Sequence, residues 1–131
     1  MIIKVKYRLY HTAQEGYKHD KEATRFVFCP QYPFRPFGLI IFEPGSSLVQ
    51  RVIVGNQDQL VAPIAAEHLS SEDLTIELLE QLSKESSMES ILASLGIVKM
   101  TMPTVNPGTY LTVELTSPVG IVAFWGIEQD V

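Results

Sequence analysis

The chain has little with which to do chemistry. Its 131 residues contain a single cysteine, Cys29, which rules out an internal disulfide and a multi-cysteine zinc site. Charged residues make up only 19%, and glycines 38, 45, 55, 96, 108, 120 and 126 stand singly, so no phosphate-cradling glycine loop exists. Gly45-Ser46-Ser47 lacks the glycine that would complete a nucleophile elbow. None of His11, His19 and His68 has a histidine four positions away, and Glu67-His68 lacks the rest of a zinc-helix signature. A metal would need His11, His19 and Asp20 to converge within one polar loop, where a solvated His19-Asp20 pair is the plainer reading. No apolar run approaches the about 18 residues of a membrane-spanning helix. The N-terminal MIIKVKYRLY alternates, whereas a signal peptide needs a continuous apolar stretch, so neither export nor membrane insertion is expected.

What is present is apolar and patterned. Hydrophobic residues make up 46%, and a chain of this length buries roughly two-thirds of its unfolded surface as one domain, 1–131. Cys29 ends the run Phe26-Val27-Phe28 and reads as a small buried hydrophobe. The net charge of −5 is unevenly spread. Residues 1–35 hold seven basic against three acidic side chains, and residues 36–131 hold three against twelve. Such polarity fits ordinary solvated surface, or the basic region of one subunit meeting the acidic surface of another.

Residues 2–9 show a period of two. Ile3, Val5, Tyr7 and Leu9 face one way and the basic ridge Lys4, Lys6 and Arg8 the other, as in a half-buried strand protected against edge pairing. Residues 11–24 are polar and aperiodic and suggest a loop or mobile arm. Strands are predicted at 25–29, 38–43, 48–55 and 59–64, separated by Pro30, Pro33, Pro36 and Pro44-Gly45. In 48–55, strict alternation would set Leu48, Gln50, Val52 and Val54 against Val49, Arg51 and Ile53.

From Ser70-Ser71 the period changes to that of a helix capped by either serine. Leu74, Leu78 and Leu82 form its stripe, with Leu79 beside them. A second short helix carries Met88, Ile91, Leu92 and Leu95 and closes at Gly96. Strands return at 97–102, 109–116 and 121–128. The last is apolar on both faces, which makes it central or packed against a second subunit. The expected fold is mainly β: an antiparallel β-sandwich of jelly-roll type with an inserted pair of short helices at about 71–95.

Nucleic acid is a poor partner for this pattern. Tyr7 lies on the face opposite Lys4, Lys6 and Arg8, so the charge has no interleaved stacking platform. We expect no specific nucleic acid, no membrane partner, no metal and no cofactor, and we read the protein as non-catalytic.

Phe34-x-Pro36, Leu39-Ile40-Ile41, Val52-Ile53-Val54-Gly55-Asn56-Gln57-x-Gln59 and Pro63-Ile64-Ala65-Ala66 resemble a pattern in small β-sandwich proteins of phage virions. Thr112-Val113-x-Leu115 and Phe124-x-x-Ile127 are similar to the closing strands of that group. The helical pair and the basic N-terminal strand depart from it. The resemblance implies a structural virion protein, made in the host cytoplasm, such as a capsid decoration or outer-capsid component. It would associate with itself, as a trimer for example, and dock on major capsid protein subunits.

The candidate contact residues are Lys4, Lys6 and Arg8, the aromatic run Tyr32, Phe34 and Phe37 with Arg35, and Trp125, because aromatics and Arg anchor interfaces. Trp125 and Phe124 would alternatively fill the core. The rival function is a non-catalytic carbohydrate-recognition module, with Asn56, Gln57, Asp58 and Gln59 beside a tyrosine.

Overall fold

A computed structural model describes residues 4–17, 20, 22–83, 88–97 and 99–130. Among the described residues eight strands form two antiparallel sheets: β1 (Lys4–His11), β2 (Arg25–Phe28), β3 (Phe34–Phe42), β4 (Leu48–Val54), β5 (Gln57–Asp58), β6 (Ile64–Ala65), β7 (Leu111–Leu115) and β8 (Ile121–Asp130). One sheet has the order β1-β8-β3. The other has the order β2-β7-β4-β5, with β6 also on β4. The pairs β1·β8, β2·β7 and β4·β5 are nested, as in a long ribbon doubled back and rolled, so the β-sandwich of jelly-roll type is the fold observed.

The two faces of the first sheet have different neighbours. Its inner face supplies Tyr10, Phe34, Leu39, Ile41, Val122 and Phe124 to a core shared with Phe26, Phe28, Val49, Val52, Leu111 and Val113 of the second sheet. Its outer face carries Leu9, Phe37, Ile40, Ala123 and Trp125, which are covered by Leu74, Leu79, Leu82 and Leu92. Those leucines belong to the helical insertion, α1 (Ile76–Leu82) and α2 (Met88–Ser94), and to the segment leading into it. The central strand β8 is therefore apolar on both faces because each meets a layer of its own chain, with no second subunit required.

Two irregularities set which side chains face where. Between Pro36 and Gly38 the β3–β8 register shifts and Phe37 becomes an extra residue. The bulge reverses parity, so Phe34 and then Leu39 and Ile41 face the inner core while Phe37 and Ile40 face the helices. Proline is tolerated here because β3 is an edge strand at a bulge. A second shift between Val49 and Arg51 makes Gln50 the extra residue. Val49 and Val52 are both fully buried, which corrects the strict alternation expected across 48–55.

Other expectations also change. The N-cap of α1 is Thr75, whose hydroxyl accepts from the Leu78 N–H at 3.1 Å, rather than Ser70 or Ser71. Residues 97–102 form no strand among the described residues. The chain runs alongside β3 and joins it through the Phe34–Val105 bridge and the Met100 N–H to the Phe37 carbonyl. The strand expected at 59–64 is reduced to β6. Cys29 is exposed, not buried, because the alternation of β2 (Phe26 and Phe28 inward) carries its side chain out. Within 11–24, His11 closes β1 and Tyr17 packs on Phe28 with ring centroids 5.3 Å apart, while Lys18, His19 and Lys21 lie outside the described residues.

Candidate contact surface

Lys6 and Arg8 are exposed and lie opposite the more buried Tyr7 and Leu9, as the alternation predicts, but their face also meets buried groups. Lys6 and Arg8 share the parity of Tyr10, so they lie on the inner face of the first sheet, at the end where Tyr10 closes the core. Across the ladder, Lys6 pairs with Glu128, and Glu128 pairs on its other side with the buried Phe34. The Glu128 side chain is 4% exposed. Lys6 Nζ lies 3.7 Å and Arg8 Nε 3.6 Å from its oxygens, and the Tyr10 hydroxyl donates to Oε2 at 3.0 Å. Tyr10 stands opposite Phe124, four positions before Glu128. Its side chain reaches the carboxylate past Gly126, which offers no side chain in the way.

A Cβ on Gly126 would stand 2.1 Å from the Arg35 carbonyl oxygen, so close backbone approach at the β3 bulge also demands glycine there. Burial raises the Tyr10 hydroxyl pKa above its usual 10.0; the Arg8 contact lowers it and the Glu128 charge raises it. Among the described residues the two cations have one carboxylate between them, at distances longer than a direct hydrogen bond, and about half of each side chain is exposed. Lys4 belongs to the same strand, but its side chain lies outside the described residues.

The aromatic candidates separate. Phe34 (0% exposed) fills the inner core, and Phe37 (9%) and Trp125 (1%) pack against each other under the helices with rings 5.7 Å apart. These three are corrected as contact residues, because the chain itself covers them. Trp125 is admitted by Gly38, where a Cβ would stand 2.1 Å from Nε1. The indole N–H has no hydrogen-bond partner among the described residues. Tyr32 (47% exposed) and Arg35 remain at the surface, the latter with its guanidinium 5.7 Å from the Phe37 ring.

His11 is buried and committed. Its Nε2 donates to Glu80 Oε1 at 2.9 Å and its Nδ1 accepts from the Ala13 N–H at 3.2 Å, so a neutral ring satisfies both. The convergence with His19 and Asp20 weighed from sequence falls away for His11, and His19 lies outside the described residues. Among the described residues no three His, Cys, Asp or Glu side chains are grouped to hold a metal ion. No helix among them is long and apolar enough to cross a membrane.

Sequence reasoning missed the outer face of the second sheet. Arg25 and Arg51 flank Glu114 there at 3.6 and 3.9 Å. Val27 and Ile53 flank Thr112 in the next row. Thr112 itself is buried (3% exposed), while Tyr110 (56%) and Leu48 (40%) are exposed towards the two ends of the same face. The alternation of 109–116 carried that signal, but only the pairing of β7 with both β2 and β4 gathers these residues.

A groove of about 430 Å³ runs along β1, lined by Lys6, Tyr7, Arg8 and Leu9 and by Gln14 and Glu80. A hollow of about 580 Å³ lies elsewhere, between the ends of β3 and β8 and the segment entering α1. Its lining is largely apolar and includes Phe42, Leu74 and Ile76 together with Glu43 and Glu72. Comparison of the chain with family models, with curated proteins and with solved structures gives no match.

Proposed function

We propose that this protein is a non-catalytic structural component of a phage virion, a capsid decoration or outer-capsid protein that associates with itself and docks on neighbouring capsid subunits. The observation that carries the contact reading is the asymmetry of the sandwich. The first sheet is covered on both faces by its own chain, whereas the second leaves Leu48 and Tyr110 exposed beside the Arg25–Glu114–Arg51 row. Exposed aromatic and aliphatic side chains that share a face with arginine have the composition of protein interfaces. The virion assignment is supported by the resemblance, whose segments fall on β3 to β6, β7 and β8, the strands that build the sandwich.

Light scattering behind a sizing column, over a tenfold concentration range, tests the self-association. The expected result is a trimer or another closed assembly that Tyr110→Asp with Arg51→Glu reduces to monomer. A monomer throughout, with no binding to capsid subunits, overturns the reading and favours the isolated binding module. For that module the polar tip is less free than its composition suggests. Asp58 Oδ1 already accepts from the Leu60 N–H, and the Gln59 amide donates to the Gln57 carbonyl.

A further inference from the structure

We propose that the outer edge of β1 is a strand-addition site for an extended segment of a partner protein in which acidic and apolar residues alternate. The inference rests on the reading of the protein as a docking module and supplies the chemistry of one partner.

The edge is identified by its hydrogen bonds. The Thr12 N–H bonds to Val122 across the ladder, and the β1–β8 register runs unbroken from His11 to Lys4. Backbone groups of Tyr10, Arg8 and Lys6 therefore point at β8, and those of His11, Leu9 and Tyr7 point away. At His11 the outward pair is closed: its N–H donates to Gln14 Oε1 at 3.0 Å, and its carbonyl accepts from the Gln14 N–H at 3.3 Å. For Tyr7 and Leu9 no such partner exists among the described residues.

The other edges are closed in part, and only β1 has a groove and paired cations beside it; on β3 Leu39 and Ile41 have no outward backbone partner among the described residues. Phe34 exchanges two backbone hydrogen bonds with Val105 on the outside of β3. On β2 the outward Val27 N–H donates to the Tyr17 hydroxyl at 3.3 Å. An uncovered edge is a template for another strand, and the 430 Å³ groove lies beside this one.

Charge selects the occupant. In an antiparallel pair, directly opposite side chains share a face. Residues of an added strand opposite Lys6 and Arg8 would meet two half-exposed cations that share one carboxylate, so acidic side chains fit there. Residues opposite Tyr7 and Leu9 extend the apolar layer beneath the helices. Two acids also line the groove: Glu80 is already engaged by His11, and Glu15 stands exposed on the turn after β1. A second copy adding its own β1 is disfavoured, since a twofold centred on Tyr7 sets Lys6 against Arg8 of the other copy, like charge on like.

The test uses the whole chain and a capped peptide of four Glu-Val repeats. The expected result is saturable one-to-one binding by calorimetry, with slowed amide exchange at Tyr7 and Leu9. Methylating the peptide's backbone nitrogens should weaken binding about tenfold or more, since 1.4 kcal/mol of lost backbone bonding suffices for that. Lys-Val repeats should not bind, and Lys6→Glu should weaken binding in a protein that still unfolds cooperatively. Absence of saturable binding at millimolar peptide, or equal binding by the methylated peptide, overturns the proposal without any protein variant. An assembly that forms normally while the peptide fails leaves the docking function standing and removes only this site. A monomer that binds the peptide does the reverse for self-association.

Discussion

The Tyr10 hydroxyl donates to Glu128 Oε2 across 118 positions of sequence, 3.0 Å apart and inside the protein. It is the one hydrogen bond under 3.5 Å that the buried carboxylate receives from the described side chains, its two cations standing farther off. Tyr10→Phe keeps the ring packed on Phe34, 4.9 Å away, and removes the donor. The expected cost is about 1–3 kcal/mol, that of leaving a buried charged acceptor short of a partner. Urea unfolding of the two proteins, with unchanged slope, measures it.

Alkaline pH probes the same residue. Burial raises the folded pKa of Tyr10, and of Tyr7 and Tyr17, above the usual 10.0. A raised folded pKa means the folded state holds the proton more tightly than the unfolded chain. The resulting stability is full below pH 10 and is lost as pH rises through the folded values. Thermal midpoints should fall above pH 10, and less steeply in Tyr10→Phe; an equal slope in both proteins would remove Tyr10 from the account.

Gly38 and Trp125 should behave as a coupled pair. Gly38→Ala drives a methyl group into the indole and should cost about 1–3 kcal/mol as overpacking. Trp125→Phe shortens the side chain without stranding a partner, because the indole N–H has none among the described residues. In the double variant the penalty of Gly38→Ala should shrink. A double-mutant cycle with zero coupling would show that the two do not compete for space.

Cys29 should react with a thiol reagent in the native protein at nearly the rate of the unfolded chain, because its side chain is exposed. Slow labelling that accelerates only with denaturant would restore the buried reading drawn from its apolar neighbours.

The Arg25–Glu114–Arg51 row separates stability from assembly. Both arginines are well exposed, and such pairs contribute about 0–1 kcal/mol. Arg25→Gln with Arg51→Gln removes the pairs without setting like charges opposite Glu114, and should therefore leave the unfolding midpoint nearly unchanged while lowering the molar mass of any assembly. A large loss of stability would make the row structural.

The sequence by itself determined the fold class, the helical insertion and the two apolar faces of β8, because periods of two and of 3.6 are local properties written in consecutive residues. Gly96 marked the end of α2 for the same reason, and its φ of +82° fits that role. Parity was where local reading failed. One extra residue at Phe37 and another at Gln50 reversed or shifted every later side chain, and a bulge is defined only by the strand opposite.

What covers each face was also decided in three dimensions. Phe34, Phe37 and Trp125 carried the composition of an interface, but the same composition fills a core. Only the docking of α1, α2 and the Met100–Val105 segment on the first sheet settled which it is. The contact of Tyr10 with Glu128, the open edge of β1 and the outer face of the second sheet arise from pairings over a hundred or tens of positions apart. Long-range register places them, and no local pattern encodes it.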